Sequence, residues 1–426
     1  MDGKSNDMKM RTRVRNWIGF WLLGLCNNYA YVIMLSAAHD LLSKEFHEDD
    51  TLHEDLAGNH TIVPGNHTTH TCNPMSTGAI LLADILPSLM TKALSPFLLE
   101  STRIRVAVTI TLSALSFIIT AASISDLMSF SGVICASISS GLGEVTFLAY
   151  SASFDVRVVS GWSSGTGAAG LVGAGVYLLL SLFLKPRVTL ALMLVIPVIM
   201  ALTYWFLIVH PPDRYQLQSV AQRRLLESNE SVPIMDMDRS VTMSTSTVVN
   251  ELSLWDKLYL MRSLSVRFMI PLGMVYFFEY FINQGLFELV WFENSSLSQD
   301  VQYRLYNTLY QVGVFVSRSS VQFVRIRLLW ILPIMQAVNF VLFLSHVINP
   351  FFGHISVAVL LILFEGLLGG ASYVNTFYKI SEESLPHQKS FAMAIVSLSD
   401  SMGITLAGAM AIPTHNALCH LINQRS

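Results

Sequence analysis

PLGMVYFFEYFINQGLFELVW, residues 271–291, is long enough to cross a bilayer, yet it carries Glu279, Asn283, Gln284 and Glu288 inside an otherwise apolar run. A carboxylate centred in hydrocarbon costs roughly 2.5–3.5 kcal/mol on insertion scales, so such residues face a bundle interior or a wet cavity. At 100° per residue, Tyr276, Glu279, Asn283 and Leu286 share one face, and Glu288 lies opposite Glu279 unless Gly285 unwinds the turn. A Gly between two polar pairs is where a spanning helix can open its backbone to a ligand. The alternative is that these groups glue helix to helix, with Glu279 protonated and hydrogen-bonded to a neighbour.

The rest of the chain has the composition of a membrane protein. Of 426 residues, 52% are hydrophobic and only 13% charged, about half the charged fraction of a soluble chain. Mean hydropathy is +0.51. A net charge of −3 offers no electrostatic footprint for nucleic acid. Four cysteines make no disulfide framework: Cys26 and Cys135 sit in apolar runs, and Cys72 and Cys419 lie outside them.

Residues 1–16 are polar and basic and read as a cytosolic tail, which orients a first span at 17–42. A hydrophilic loop, 43–74, follows with sequons at Asn59 and Asn66. Further spans are predicted at 76–99, 104–124, 127–154, 160–184 and 188–209. Arg103, Arg105 and Arg157 fall on the cytosolic side, whereas Lys185 and Arg187 fall on the other. The Pro-, Ser- and Thr-rich segment 211–262 reads as a disordered cytosolic linker, whose sequon at Asn229 should stay unmodified. Spans near 266–292, 303–323, 327–348, 353–379 and 389–413 complete the second half, with a sequon at Asn294 and a short tail, 414–426.

The halves, 17–210 and 263–413, echo each other. Asn27-Asn28 in the first span matches Asn283-Gln284 in the seventh, and Arg-Ile-Arg at 103–105 recurs at 325–327. The fourth and tenth spans both join a Glu, Glu144 and Glu365, to neighbouring glycines. Two similar sets of spans around a cytosolic linker make an all-helical, major-facilitator-like bundle of about eleven transmembrane helices in pseudo-symmetric halves. Other polar residues fit a central cavity. Glu365, Gly369, Ser372, Thr376 and Lys379 stripe one face of the tenth span. Asp84 and Lys92 bracket Pro87, and either pair or grip a charged substrate. Glu144, Gln311 and Asp400 add to the set, each with a structural hydrogen bond as the plainer reading. The small-residue run WSSGTGAAG, 162–170, reads as close helix packing, with a gating hinge as the alternative.

No HExxH, desaturase-type His box, G-x-S-x-G elbow or Walker loop is present, so no enzyme or cofactor reading arises. Histidines at 47, 53, 60, 67 and 70 mark either a metal- or pH-sensing loop or a solvated, glycosylated one.

Six blocks carry a resemblance: GFWLLGLCNN (19–28), LSAAHD (35–40), ASISSGLGEVTF (136–147), WSSGTG (162–167), EYFINQGLFE (279–288) and EGLLGG (365–370). In this order they resemble the battenin family, the lysosomal membrane proteins of neuronal ceroid lipofuscinosis. The likeness fails in the first loop, the linker and the termini. It implies a glycoprotein of lysosomal and late endosomal membranes that exports glycerophosphodiesters, the head-group products of phospholipid breakdown. Lys92 and the amides Asn28, Asn283 and Gln284 are candidate ligands for a phosphodiester and its hydroxyls.

Two departures stand out. Mammalian members end in a CaaX box, but Cys419-His-Leu-Ile is followed here by four more residues, which argues against prenylation. The family's acidic dileucine signal survives only loosely, with Ile234-Met235 after Glu230 as the candidate for sorting adaptors. A proton-coupled transporter is expected, with Glu279 as coupling carboxyl and Glu144 as its counterpart. The other class is a non-transporting regulator or scaffold that affects lysosomal pH and trafficking.

Overall fold

An apolar chain in a bilayer must satisfy its backbone within its own segments, and every regular element among the described residues is helical. The structure, a computed structural model, describes residues 2–36, 77–98, 101–181, 183–211, 253–292 and 294–423. The first half consists of α1 (Asp2–Ser36), α2 (Thr77–Leu98), α3 (Thr102–Ala121), α4 (Asp126–Ser151), α5 (Arg157–Ser181) and α6 (Pro186–Leu207). The second consists of α7 (Leu254–Leu289), α8 (Gln299–Ser319), α9 (Ile331–Ile348), α10 (Ile355–Glu383) and α11, which runs as Pro386–Val396 and Leu398–Asn423. Eight of these eleven rods are long and apolar enough to cross a membrane. The amphipathic α8 is not among them, because Gln302, Arg304, Asn307 and Arg318 lower its hydropathy. Gln302, Tyr306, Tyr310 and Ser317 turn inward while Val301 and Val316 face out.

The packing is pseudo-twofold. Within the first half α1 lies along α5, α2 along α4 and α3 on α4; within the second α7 lies along α11, α8 along α10 and α9 on α10. Moving six places along the helix order carries each first-half pair onto its second-half counterpart. The halves meet where α2 touches α11 and where α5 touches α8, two contacts that the same operation exchanges.

The run 162–170 serves close packing of α5 on α1. A Cβ at Gly161 would stand 2.7 Å from the Trp17 carbonyl, and one at Gly165 would meet that of Trp21. Trp17 and Trp21 donate to Ser160 and Ser164, each at 3.1 Å, which fixes the register of the pair.

Several bounds differ from the sequence-based ones. The basic segment 2–16 continues α1 as helix. α7 begins inside the predicted linker, where Ser253 and Asp256 form a capping box ahead of an interfacial turn bearing the exposed Trp255 and Tyr259. α11 runs to Asn423, through most of the predicted tail, because Leu418 and Cys419 still have an apolar core to bury into. Arg187, on the side expected to lack cations, donates to the Ser123 carbonyl at 3.1 Å beside the α3–α4 turn. The sequons at Asn59, Asn66 and Asn229, the 47–70 histidines and Ile234-Met235 lie outside the described residues. Asn294 is exposed in the turn between α7 and α8.

Candidate functional site

Polar side chains buried in an apolar bundle need partners, and here they gather where the two halves meet. Lys92 on α2 is buried, with Nζ 2.6 Å from Glu144 Oε2 on α4 and 2.9 Å from Asp400 Oδ1 on α11. It also donates to the Ser397 carbonyl at 3.2 Å, at the break between the two pieces of α11. The predicted alternative, a pairing of Lys92 with Asp84, is not what forms. Eight residues along one helix put the two about two turns apart, whereas α4 and α11 bring carboxylates directly to the ammonium. Both Asp84 carboxylate oxygens are buried without a hydrogen-bond partner among the described residues.

A second cluster centres on Arg318, near the end of α8. Its guanidinium donates to Thr166 Oγ1 on α5 at 2.7 Å and to the Tyr276 hydroxyl on α7 at 2.8 Å. Its Cζ lies 4.2 Å from the centre of the Tyr373 ring on α10. Among the described residues no carboxylate forms an ion pair with it. One turn beyond Tyr276, Glu279 accepts a hydrogen bond from the Tyr310 hydroxyl, and its other oxygen has no partner among the described residues. Gly369 leaves room for that carboxyl, because a Cβ there would collide with it. Glu365, one turn earlier on α10, is fully buried with both oxygens unpartnered among the described residues.

Tyr373 joins the two clusters. Its hydroxyl donates to Glu144 Oε1 at 2.6 Å and accepts from Trp162 Nε1 at 3.0 Å, while its ring covers Arg318. The chain of contacts thus crosses α2, α4, α5, α7, α8, α10 and α11.

Of the residues singled out in the sequence, Glu144, Lys92, Asp400, Glu279 and Glu365 belong to this layer. Ser372 and Thr376 are buried on the same helix as Glu365, with Thr376 Oγ1 unpartnered among the described residues. Lys379 instead donates to the Arg327 carbonyl at 2.7 Å, away from this layer. Asn28 sits apart, its Oδ1 accepting from Asn27 at 3.3 Å, and Gln311 packs its amide against Gly170. Asn283 and Gln284 are buried in a π segment, Ile282–Leu286, so the helix does depart from α geometry around Gly285. Beyond it, Glu288 Oε2 lies 4.0 Å from His415 Nε2 on α11.

Sequence reasoning set Tyr276 on the face of Glu279 without giving it a role, and missed Arg318, Tyr310 and Tyr373. Arg318 had a signal, since it lies five residues inside the predicted span 303–323, but Arg near a span end reads as a cytosolic flank. A tyrosine in an apolar run reads as core.

Comparison with known proteins places this architecture. A family described as "CLN3 protein" matches residues 18–421. Battenin of Canis lupus familiaris is 45% identical over 418 residues, 96% of this chain and 92% of that protein. Protein BTN1 of Saccharomyces cerevisiae is 35% identical, covering 94% of each. Among solved structures, the human organic anion transporter MFSD10 (TETRAN) superposes with a TM-score of 0.53 at 13% identity, over 98% of both chains. The major facilitator proton:xylose symporter XylE gives 0.56 at 12% identity, over 95% of this chain and 89% of that one. These two likenesses show a major-facilitator-like fold. Together with the matching family over nearly the whole length, they lead to one statement: this multi-pass membrane protein belongs to the CLN3, or battenin, family.

Proposed function

We propose that the chain is a lysosomal and late endosomal transporter that exports glycerophosphodiesters through alternating access of its two halves. The observation that carries this reading is Arg318, a half-buried cation between the halves whose hydrogen-bond partners are neutral hydroxyls. A guanidinium so placed suits a phosphodiester, whose two free oxygens match its fork. Tyr276 and Thr166 are at hand for the hydroxyls of a glycerol moiety. Lys92, the earlier candidate, is already neutralised by Glu144 and Asp400, and serves better as a lock holding α2 to α11.

Orientation follows the charges. Arg13 with Asp155, Arg267 with Glu383 and Arg325 with Glu382 mark one end of the bundle, read as cytosolic. Cys419, near the far end of α11, is disulfide-bonded, which suits an oxidising lumen and leaves no thiol to prenylate. Asn59, Asn66 and Asn294 are then lumenal glycosylation sites, and Ile234-Met235 a cytosolic sorting signal. Protons couple at Glu279, whose carboxyl sits beside Arg318's layer and can answer to the loaded site.

Efflux of glycerophosphodiesters from vesicles holding only this protein tests the reading. Arg318→Ala should raise the half-saturating concentration roughly 10- to 100-fold, the value of a lost charged hydrogen bond, with Arg318→Lys in between. Glu279→Gln should keep substrate binding and flatten the pH dependence. Efflux no faster than from empty vesicles, or an Arg318→Ala protein equal to wild type, would favour the non-transporting regulator.

A further inference from the structure

After α8 the chain does not turn straight into α9. Residues 324–328 carry no helix and are fastened along α10. The Ile326 amide donates to Asn375 Oδ1 at 2.8 Å, Arg325 donates to Glu382 at 3.1 Å and to the Tyr378 hydroxyl at 2.9 Å, and Lys379 holds the Arg327 carbonyl. This fastening occupies Arg325. The Arg327 side chain is exposed and has no partner among the described residues.

Arg327 borders an open cleft of about 490 Å³ whose wall also includes Ser263, Val266, Arg267, Trp330 and Lys379. Three cations therefore line it, and among the described residues the carboxylate paired with any of them is Glu383, on Arg267. The surplus is positive, with the Ser263 hydroxyl and Trp330 indole as neutral donors. Its wall also carries exposed aliphatics: Leu328 is 71% exposed and Val266 61%. In the first half the counterpart of Arg327, Arg105, instead turns back to donate to the Ser95 carbonyl at 2.7 Å.

A soluble anion would need the cations but not the aliphatics. A bilayer lipid needs both, with phosphate at the interface and acyl chains beside exposed aliphatics. We propose that this cleft binds the phosphorylated headgroup of an anionic phospholipid at the membrane surface. The headgroup phosphate sits among Arg327, Arg267 and Lys379, and the acyl chains run along Leu328 and Val266. The lipid would brace the α8–α9 connection, directly below the helix that carries Arg318.

The test compares thermal unfolding of the full chain in nanodiscs of phosphatidylcholine alone and of phosphatidylcholine containing a phosphatidylinositol monophosphate. The charged lipid should raise the midpoint of the wild type by about 2–5 °C, as a ligand binding only the folded state does. Arg327→Ala should lose at least half of that rise, and Arg327→Lys should keep most of it. Because Arg327 is exposed and holds nothing else through its side chain, both variants should fold. An equal rise in Arg327→Ala would overturn the site. Equal stabilisation by the soluble inositol phosphate would overturn the lipid as its occupant.

Discussion

Two cations lie in the same layer between the halves, and they are treated in opposite ways. Lys92 is buried between two carboxylates and a carbonyl, whereas Arg318 is left half-buried among hydroxyls and a ring. A buried ion repays its desolvation only when geometry and hydrogen bonding are close to ideal. Lys92 meets that condition, so its charge is used up in holding α2, α4 and α11 together. Arg318 does not, since its side chain contacts only neutral hydroxyls and a ring. Within one shell of side chains, matched charge holds helices together, and unmatched charge is where the proposed substrate would bind.

The sharpest way to break this contrast is to remove Lys92. Lys92→Ala strands Glu144 and Asp400 and should cost about 3–5 kcal/mol, seen as a lowered unfolding midpoint and reduced folded yield. The triple variant Lys92→Met, Glu144→Gln, Asp400→Asn should recover most of that loss, because no charge is left alone. If Lys92→Ala unfolds like wild type, the ammonium is not a lock. A middle-sized effect is expected on the receptive side. Gly369→Ala drives a Cβ into the Glu279 carboxyl and should cost about 1–3 kcal/mol, with efflux impaired beyond what stability explains. No loss of efflux would separate Glu279 from transport. The smallest effect is expected at the bridge: Tyr373→Phe keeps the ring over Arg318 but drops the hydroxyl shared by Glu144 and Trp162, for about 0.5–1.5 kcal/mol. A larger loss would mean that the two clusters act as one.

Much of the architecture was legible in the chain itself. Hydropathy located the rods, and the repeated Arg-Ile-Arg and paired glycines announced the twofold plan. Intramembrane cost picked out Glu144, Glu279 and Glu365 as inward-facing. Partnership was not legible. Lys92 and Asp400 stand 308 residues apart, and nothing local to either distinguishes that pairing from one with Asp84, eight residues away on the same helix. Periodicity tells which side chains need company, while the company itself is chosen by how rods from different halves cross. Arg318 escaped for the opposite reason, since its neighbourhood offered a ready but wrong explanation as a flanking charge. The start of α7 escaped because its first turns are amphipathic and lie in a segment whose composition reads as linker.

The π segment Ile282–Leu286 divides α7 into two stretches that need not keep step. A π turn holds one residue more than an α turn requires. Were that extra residue absorbed into α geometry, everything beyond would rotate by about 100° while Glu279, on the near side, stayed in place. Glu288 would then leave the sector facing His415. The single surplus peptide of this π turn thus sets which sector Glu288 presents to His415.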